Sequence, residues 1–212
     1  MKNIADHFNE EAKNHDNFFG NAEMKPFYDE IEIQINKCVI KGNILVLGCG
    51  TGLEIEKIKS KSKVTAVDIS QEMLNELRKK NFHEDIELST ICGSLLDMDL
   101  GNNVYDIVLT CYVMHHFNEP QKLSLYSNIH KCLKSDGVFI NGDIMANTKE
   151  DEISGYKAAE NIYREQNKQF GSLHIDVPMY YEHELGILNK TGFNNVTLER
   201  EWTHTKLYRA CK

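Results

Sequence analysis

Unbroken apolar runs alternate along this chain with polar stretches in which apolar residues recur every three or four positions. Ile44-Leu45-Val46-Leu47 and Ile107-Val108-Leu109 show no in–out alternation, as expected of strands covered on both faces of a parallel sheet. Strands are predicted over 43–47, 63–68, 86–91, 105–111 and 137–144, with helices near 52–60, 70–80 and 119–134 between them. In the last helix Leu125, Ile129 and Leu133 recur every fourth position, and Ser135-Asp136-Gly137 supplies the stop. Strands alternating with helices imply a doubly wound α/β sheet.

Both ends depart from this rhythm. Residues 4–38 predict one or two helices ahead of the first strand. Residues 150–170 are polar, but Ile153, Tyr156, Ala159 and Tyr163 give them a helical stripe, so an ordered helical lid is expected after the fifth strand. A helix over 181–191 stops at Gly192, and strands over 195–202 and 205–211 close the chain around Thr203-His204. The chain shows neither repeat nor linker and is expected to form one domain over 1–212. Within it, 1–40 is an N-terminal helical lid, 41–147 the core, 148–180 the insertion and 181–212 the closing helix and hairpin.

Charge narrows the partners. The 24 Lys and Arg face 32 Asp and Glu, a net of −8, which repels a polyanion and argues against DNA and RNA. No apolar run reaches the length of a membrane span, and MKNIADHFNEE lacks the apolar stretch of a secretory signal. Six cysteines without a CxxC pair, several inside apolar runs, suggest reduced thiols and a cytoplasmic protein.

The candidate chemistry starts at Gly48-Cys49-Gly50-Thr51-Gly52, between a predicted strand and a predicted helix. Glycines there permit a tight turn and a close backbone approach to a ligand. Asp68 ends the next strand twenty residues beyond Gly48, where a carboxylate can accept both hydroxyls of a ribose. Together they call for a nucleoside-containing cofactor. Leu53 stands where a dinucleotide fingerprint has its last glycine, and no Lys-Ser/Thr follows to make a P-loop.

These motifs, with Tyr105-Asp106-Ile107-Val108 and Gly137-Val138-Phe139-Ile140, resemble the class I S-adenosylmethionine-dependent methyltransferases of small-molecule type over nearly the whole chain. The resemblance implies a Rossmann-like, seven-stranded, mostly parallel sheet of order 3-2-1-4-5-7-6 with the last strand antiparallel, helices on both faces, and S-adenosyl-L-methionine as cofactor. It further implies that Gly48, Cys49, Gly50, Thr51 and Gly52 carry the cofactor's amino-acid part and Asp68 its ribose. Ile69 and Met73 would flank the adenine, with Gly93, Ser94 and Leu95 at its edge and Cys111 at the end of strand four. His115 and His116 follow that strand and could supply a base for the acceptor proton or simply pack beneath the cofactor. His15 replaces an aromatic residue of the family's entry helix, as lid contact or acid/base.

Acceptor contacts are expected from His174, beside Asp176, and from Trp202 and His204, because the closing hairpin should turn on the active face. No metal is expected, since neither HxH nor HExxH occurs. The Pro-Pro-aromatic signature of nucleic-acid methyltransferases is also missing. The reading is methyl transfer to a small-molecule acceptor by a monomer or homodimer. A tRNA-modifying enzyme and a non-catalytic cofactor-binding regulator are the alternatives.

Overall fold

The structure, a computed structural model, describes residues 2–38 and 42–212. The expected boundary between N-terminal segment and core, at 40/41, lies outside the described residues. Seven strands form one sheet: β1 Gly42–Leu47, β2 Ser62–Asp68, β3 Ile86–Cys92, β4 Tyr105–Cys111, β5 Leu133–Ile144, β6 Asn194–Glu201 and β7 Thr205–Cys211. Their order is β3-β2-β1-β4-β5-β7-β6, the order the resemblance implies. β1 to β5 pair in parallel, and β7 runs antiparallel to both β5 and β6.

Side chains of the central strands alternate between two apolar layers, which is why their sequences are apolar throughout. Leu45, Leu47 and Val108 face Leu125, Tyr126 and Ile129 of α5 (Glu119–Cys132) and Ile187 of α7 (Tyr181–Lys190). Ile44, Val46, Ile107 and Leu109 face Phe27, Ile31 and Ile35 of α3 (Lys25–Lys37) and Leu74 and Leu77 of α4 (Gln71–Leu77).

The N-terminal segment divides into α1 (Ile4–Glu11), a 3₁₀ turn, α2 (His15–Phe19) and α3. The helix expected at 52–60 is only a 3₁₀ turn, Ile55–Lys57. Ile55 and Ile58, both fully buried, are three apart, the repeat of a 3₁₀ turn. The helix expected to 134 ends at Cys132, because Leu133 is already extended (φ −66°, ψ 146°) and begins β5 four residues before Gly137. Residues 149–165 form α6 (Lys149–Glu165), opened by a capping box between Thr148 and Asp151.

One feature of the core was not foreseen. Lys122 and Glu184 are both buried and paired, and the hydroxyls of Tyr126 and Tyr208 also donate to Glu184. Tyr208 in turn accepts from Asn141 at 3.0 Å, so β5, β7, α5 and α7 share one polar network.

Candidate active site

A cavity of about 340 Å³ opens at the carboxyl ends of the strands, where the order reverses between β1 and β4. The loop after β1 makes its floor. Gly48 and Gly50 hold φ of 65° and 48°, a region that side chains disfavour. A Cβ on Gly48 would lie 2.4 Å from Val113, so this glycine lets the loop pass beneath the segment that follows β4.

β2 delivers Asp68 to the cavity wall. Its carboxylate accepts from the N–H of Gly50 at 2.7 Å and of Ser70 at 2.8 Å. A carboxylate has about four lone-pair directions, so acceptor capacity remains for a ligand hydroxyl. Burial pushes its pKa up to about 6, against the pull of the Ser70, Gly50 and Ile69 N–H groups.

Beyond β4, Tyr112 adopts φ 57°, a strained conformation for an aromatic residue that costs about 1–3 kcal/mol. Its N–H donates to the Gly142 carbonyl at 2.8 Å, which holds the turn against β5. The 3₁₀ turn Met114–His116 then brings both imidazoles to the cavity. Asp143, at the carboxyl end of β5, accepts from the His115 backbone N–H at 2.9 Å and from its Nδ1–H at 2.6 Å. The proton therefore sits on Nδ1, and Nε2 faces Asp176 at 3.5 Å.

Burial alone would lower the His115 pKa, but the charge and hydrogen bond of Asp143, with Asp176 beyond, outweigh it and raise it. His116 goes the other way. Burial and the neighbouring His115 push it down to about 4, and its buried Nδ1 has no hydrogen-bond partner, lying 3.4 Å from Asp176. The Asp176 carboxyl is held at about 2, chiefly by His116.

α1 and α2 roof the cavity with Ile4, His7, Phe8, Glu11 and His15. Asn9 Oδ1 accepts from the Ser70 hydroxyl at 2.7 Å and the Glu72 N–H at 3.2 Å. On the other rim the Ile4 N–H donates to the Ser172 carbonyl at 3.1 Å, and His7 stacks on His174 at 3.9 Å. The Thr51 hydroxyl donates to Asp16 and lies 3.1 Å from His15 Nδ1, tying α2 to the glycine loop. Burial lowers the His15 pKa, against the opposing pull of Asp16.

Comparison with known proteins agrees with this geometry. Residues 44–137 match a methyltransferase domain. Carboxy-S-adenosyl-L-methionine synthase of Campylobacter fetus subsp. fetus is 26% identical over 123 residues, which is 54% of this chain and 52% of that protein. The chain thus spans about half the length of that relative. Among solved structures, a candidate O-methyltransferase from Nostoc punctiforme superposes with a TM-score of 0.70 at 22% identity, covering 97% of this chain and 60% of that one. The DhpI–SAM–HEP complex also gives 0.70, at 16% identity, over 98% of this chain and 94% of that one. Over residues 44–137 this chain is therefore similar to a methyltransferase domain, and its strand order is that of the Rossmann-like fold.

Gly48, Cys49, Gly50, Asp68, Ile69 and Met73 all line the cavity, as do Ser94, Leu95, Cys111, His115 and His116. His15 and His174 reach it from the roof and the 171–176 segment. Thr51, Gly52 and Gly93 stand behind the wall. A Cβ on Gly52 would sit 3.2 Å from both Leu77 and Phe82, and the Gly93 N–H donates to the Asp68 carbonyl at 2.9 Å.

Trp202 and His204 are not part of the cavity lining. The hairpin does turn at the carboxyl end of β5, since Thr205 pairs with Ile144. β7 nevertheless lies two strands from β4, roughly 10 Å away at normal strand spacing. Trp202 instead packs on Phe27 at 5.7 Å, and His204 is exposed beside Asn147 at 3.3 Å.

Asp143, Glu54 and Tyr28 are among the residues of the site that escaped sequence reasoning, as are Ile4, His7 and Glu11 of the roof. Asp143 had a legible signal, a lone acid set in an apolar stretch at a strand end, whereas Glu54, with Glu56 and Lys57 beside it, reads as an ordinary surface acid. Tyr28 had none beyond its helical stripe.

Proposed function

We propose that this chain transfers the methyl group of S-adenosylmethionine to a compact small-molecule acceptor bound beneath α1. The reading is carried by one convergence: the glycine loop, Asp68 and the His115–Asp143 pair meet in a single cavity. Cys49 and the backbone of Gly48 and Gly50 would hold the amino-acid end, with Thr51 and Gly52 shaping the loop behind them, and Asp68 would hold the ribose. Ile69 and Met73 would flank the adenine, whose edge would meet Ser94 and Leu95 as Gly93 fixes their loop. Cys111 bounds the reacting end. The residues fit such a ligand, since Asp68 keeps acceptor capacity and the loop offers bare backbone.

When bound, the cofactor supplies a methyl group on a positively charged sulfur. The protein's part is alignment and proton transfer. The residues around the cavity would aim an acceptor lone pair at that methyl group and keep water away from it. The acceptor proton passes to Nε2 of His115, whose imidazolium is balanced by Asp143 and Asp176. His116, a weak base at about 4, packs against the acceptor, and His15 serves as lid contact. His174 and Asp176 orient the acceptor's polar group. α1–α2 and the 148–180 insertion act as covers.

His115 Nε2, His116 Nδ1 and Asp176 lie within 4.8 Å of one another, near enough to contact one cation. The proton route proposed here uses the Nε2 lone pair of His115 itself and calls on no metal. The net charge of −8 favours a small acceptor over RNA, and no helix among the described residues is long and apolar enough to cross a membrane.

Methyl-labelled S-adenosylmethionine incubated with the protein and a fractionated metabolite extract tests the reading. Label is expected in a low-mass product. Label confined to RNA would transfer the assignment to the RNA class, and absence of any turnover would favour a cofactor-binding regulator.

A further inference from the structure

Glu54 follows the glycine loop and lines the cavity, yet it is only 4% exposed and its Oε1 has no hydrogen-bond partner. An unpaired acceptor at such depth costs free energy unless something arrives to satisfy it. Among the described residues no Lys or Arg lines the cavity, and Lys80, whose charge acts on Glu54, is held by Asp16 at 2.7 Å and Glu56 at 2.9 Å. The missing partner should therefore come with the ligand.

The layout says which part of the ligand it is. Asp68 ends β2, and Ser94 and Leu95 follow β3, so ribose and base run toward that side of the sheet. The amino-acid end must then point toward β4, where Glu54 lines the cavity together with Tyr28 and Cys111. Resting on the cofactor reading above, we propose that Glu54 is the anchor for the cofactor's α-ammonium group. Its neighbours shape its state before the ligand arrives. Burial, with Asp68 and Glu56 adding to it, outweighs the Glu54 backbone N–H and Lys80 and pushes the carboxyl up to about 8. Tyr28, Cys49 and Cys111 close the remaining sides and are neutral at pH 7 because burial raises all three. The free protein thus holds a neutral carboxyl at pH 7, and an arriving ammonium ionises it. Binding expels a proton to solvent.

Calorimetric titration of the full chain separates this from a structural role. S-adenosylhomocysteine carries the ammonium but no charged sulfur, whereas 5′-methylthioadenosine keeps the adenosine and lacks the amino-acid end. Run at pH 7 in two buffers of different ionisation enthalpy, the first ligand should release about one proton more than the second. Glu54→Gln should abolish that difference and weaken S-adenosylhomocysteine by about tenfold or more, while methylthioadenosine changes less than about twofold. Equal weakening of both ligands, or equal proton release by both in the unaltered protein, overturns the assignment. The proton count needs no variant, so a misfolded Glu54→Gln does not obscure it. If neither ligand binds the unaltered protein, the cofactor reading itself fails.

Discussion

His115 and Asp143 are joined twice, once through the histidine backbone N–H and once through its ring. The double contact fixes both where the imidazole sits and which nitrogen faces the cavity. A base must be unprotonated to act, and Asp143 raises the His115 pKa above 6.5. The rate at saturating substrates should therefore rise with pH through a value above 6.5. Asp143→Asn should move that limb to lower pH, and His115→Gln should remove it and lower kcat by about 10²–10⁴. A pH–rate series on the three proteins measures this, and an unchanged limb in His115→Gln would exclude the base. The linked stability has a definite sign. The raised histidine stabilises below its unfolded pKa and loses that effect as pH climbs through its folded one. Asp143, held low, contributes above its unfolded pKa and loses its effect as pH falls through the folded value. The pair thus stabilises most between about pH 4 and 6.5.

Asp68 should bind ribose only when ionised. With its carboxyl at about 6, affinity for S-adenosylhomocysteine should fall as pH drops below that value. Asp68→Ala should weaken binding at pH 7.5 by about 1.5–3 kcal/mol, the worth of a charge-assisted hydrogen bond. Calorimetry against both ligand and pH checks the two effects.

The roof over the cavity is latched at Asn9, which accepts from the first residues of the α4 turn. Ligand binding should slow hydrogen exchange in residues 4–19. Asn9→Ala should speed that exchange in the free protein while leaving the amides of β1 and β4 protected. Unaltered exchange of the roof on saturation with S-adenosylhomocysteine would count against its being a cover.

The proton route proposed through His115 calls on no metal. Dialysis against a chelator should leave the rate unchanged, and added zinc, by occupying the imidazoles, should inhibit. Loss of activity on chelation with recovery on adding a divalent ion would reassign the histidine pair.

Glu184 tests the fold apart from the site. Removing one member of its buried pair strands a charge, so Glu184→Ala should cost about 3–5 kcal/mol in denaturant unfolding. The double variant Lys122→Met/Glu184→Met should recover most of that loss, because two apolar groups leave neither charge unpaired.

The sequence by itself determined what is local. Apolar runs such as 44–47 announce buried strands because solvent exclusion acts residue by residue, and Gly48-Cys49-Gly50 announces a ligand loop because only glycine accepts its backbone angles without strain. Asp68 was legible for the same reason, since its place is fixed by the strand it ends. The tertiary structure decided what depends on partners far along the chain. His115 and His116 are adjacent and alike in sequence, yet Asp143, 28 residues from His115, raises one while burial and the neighbouring His115 outweigh Asp176 and lower the other. Trp202 stands at the right end of the sheet, but the lateral spacing of strands gives it Phe27 to pack on. Glu54 resembles any surface glutamate until the fold buries it and commits Lys80 elsewhere. Burial and charge pairing are properties of the assembled sheet, and no periodicity along the chain encodes them.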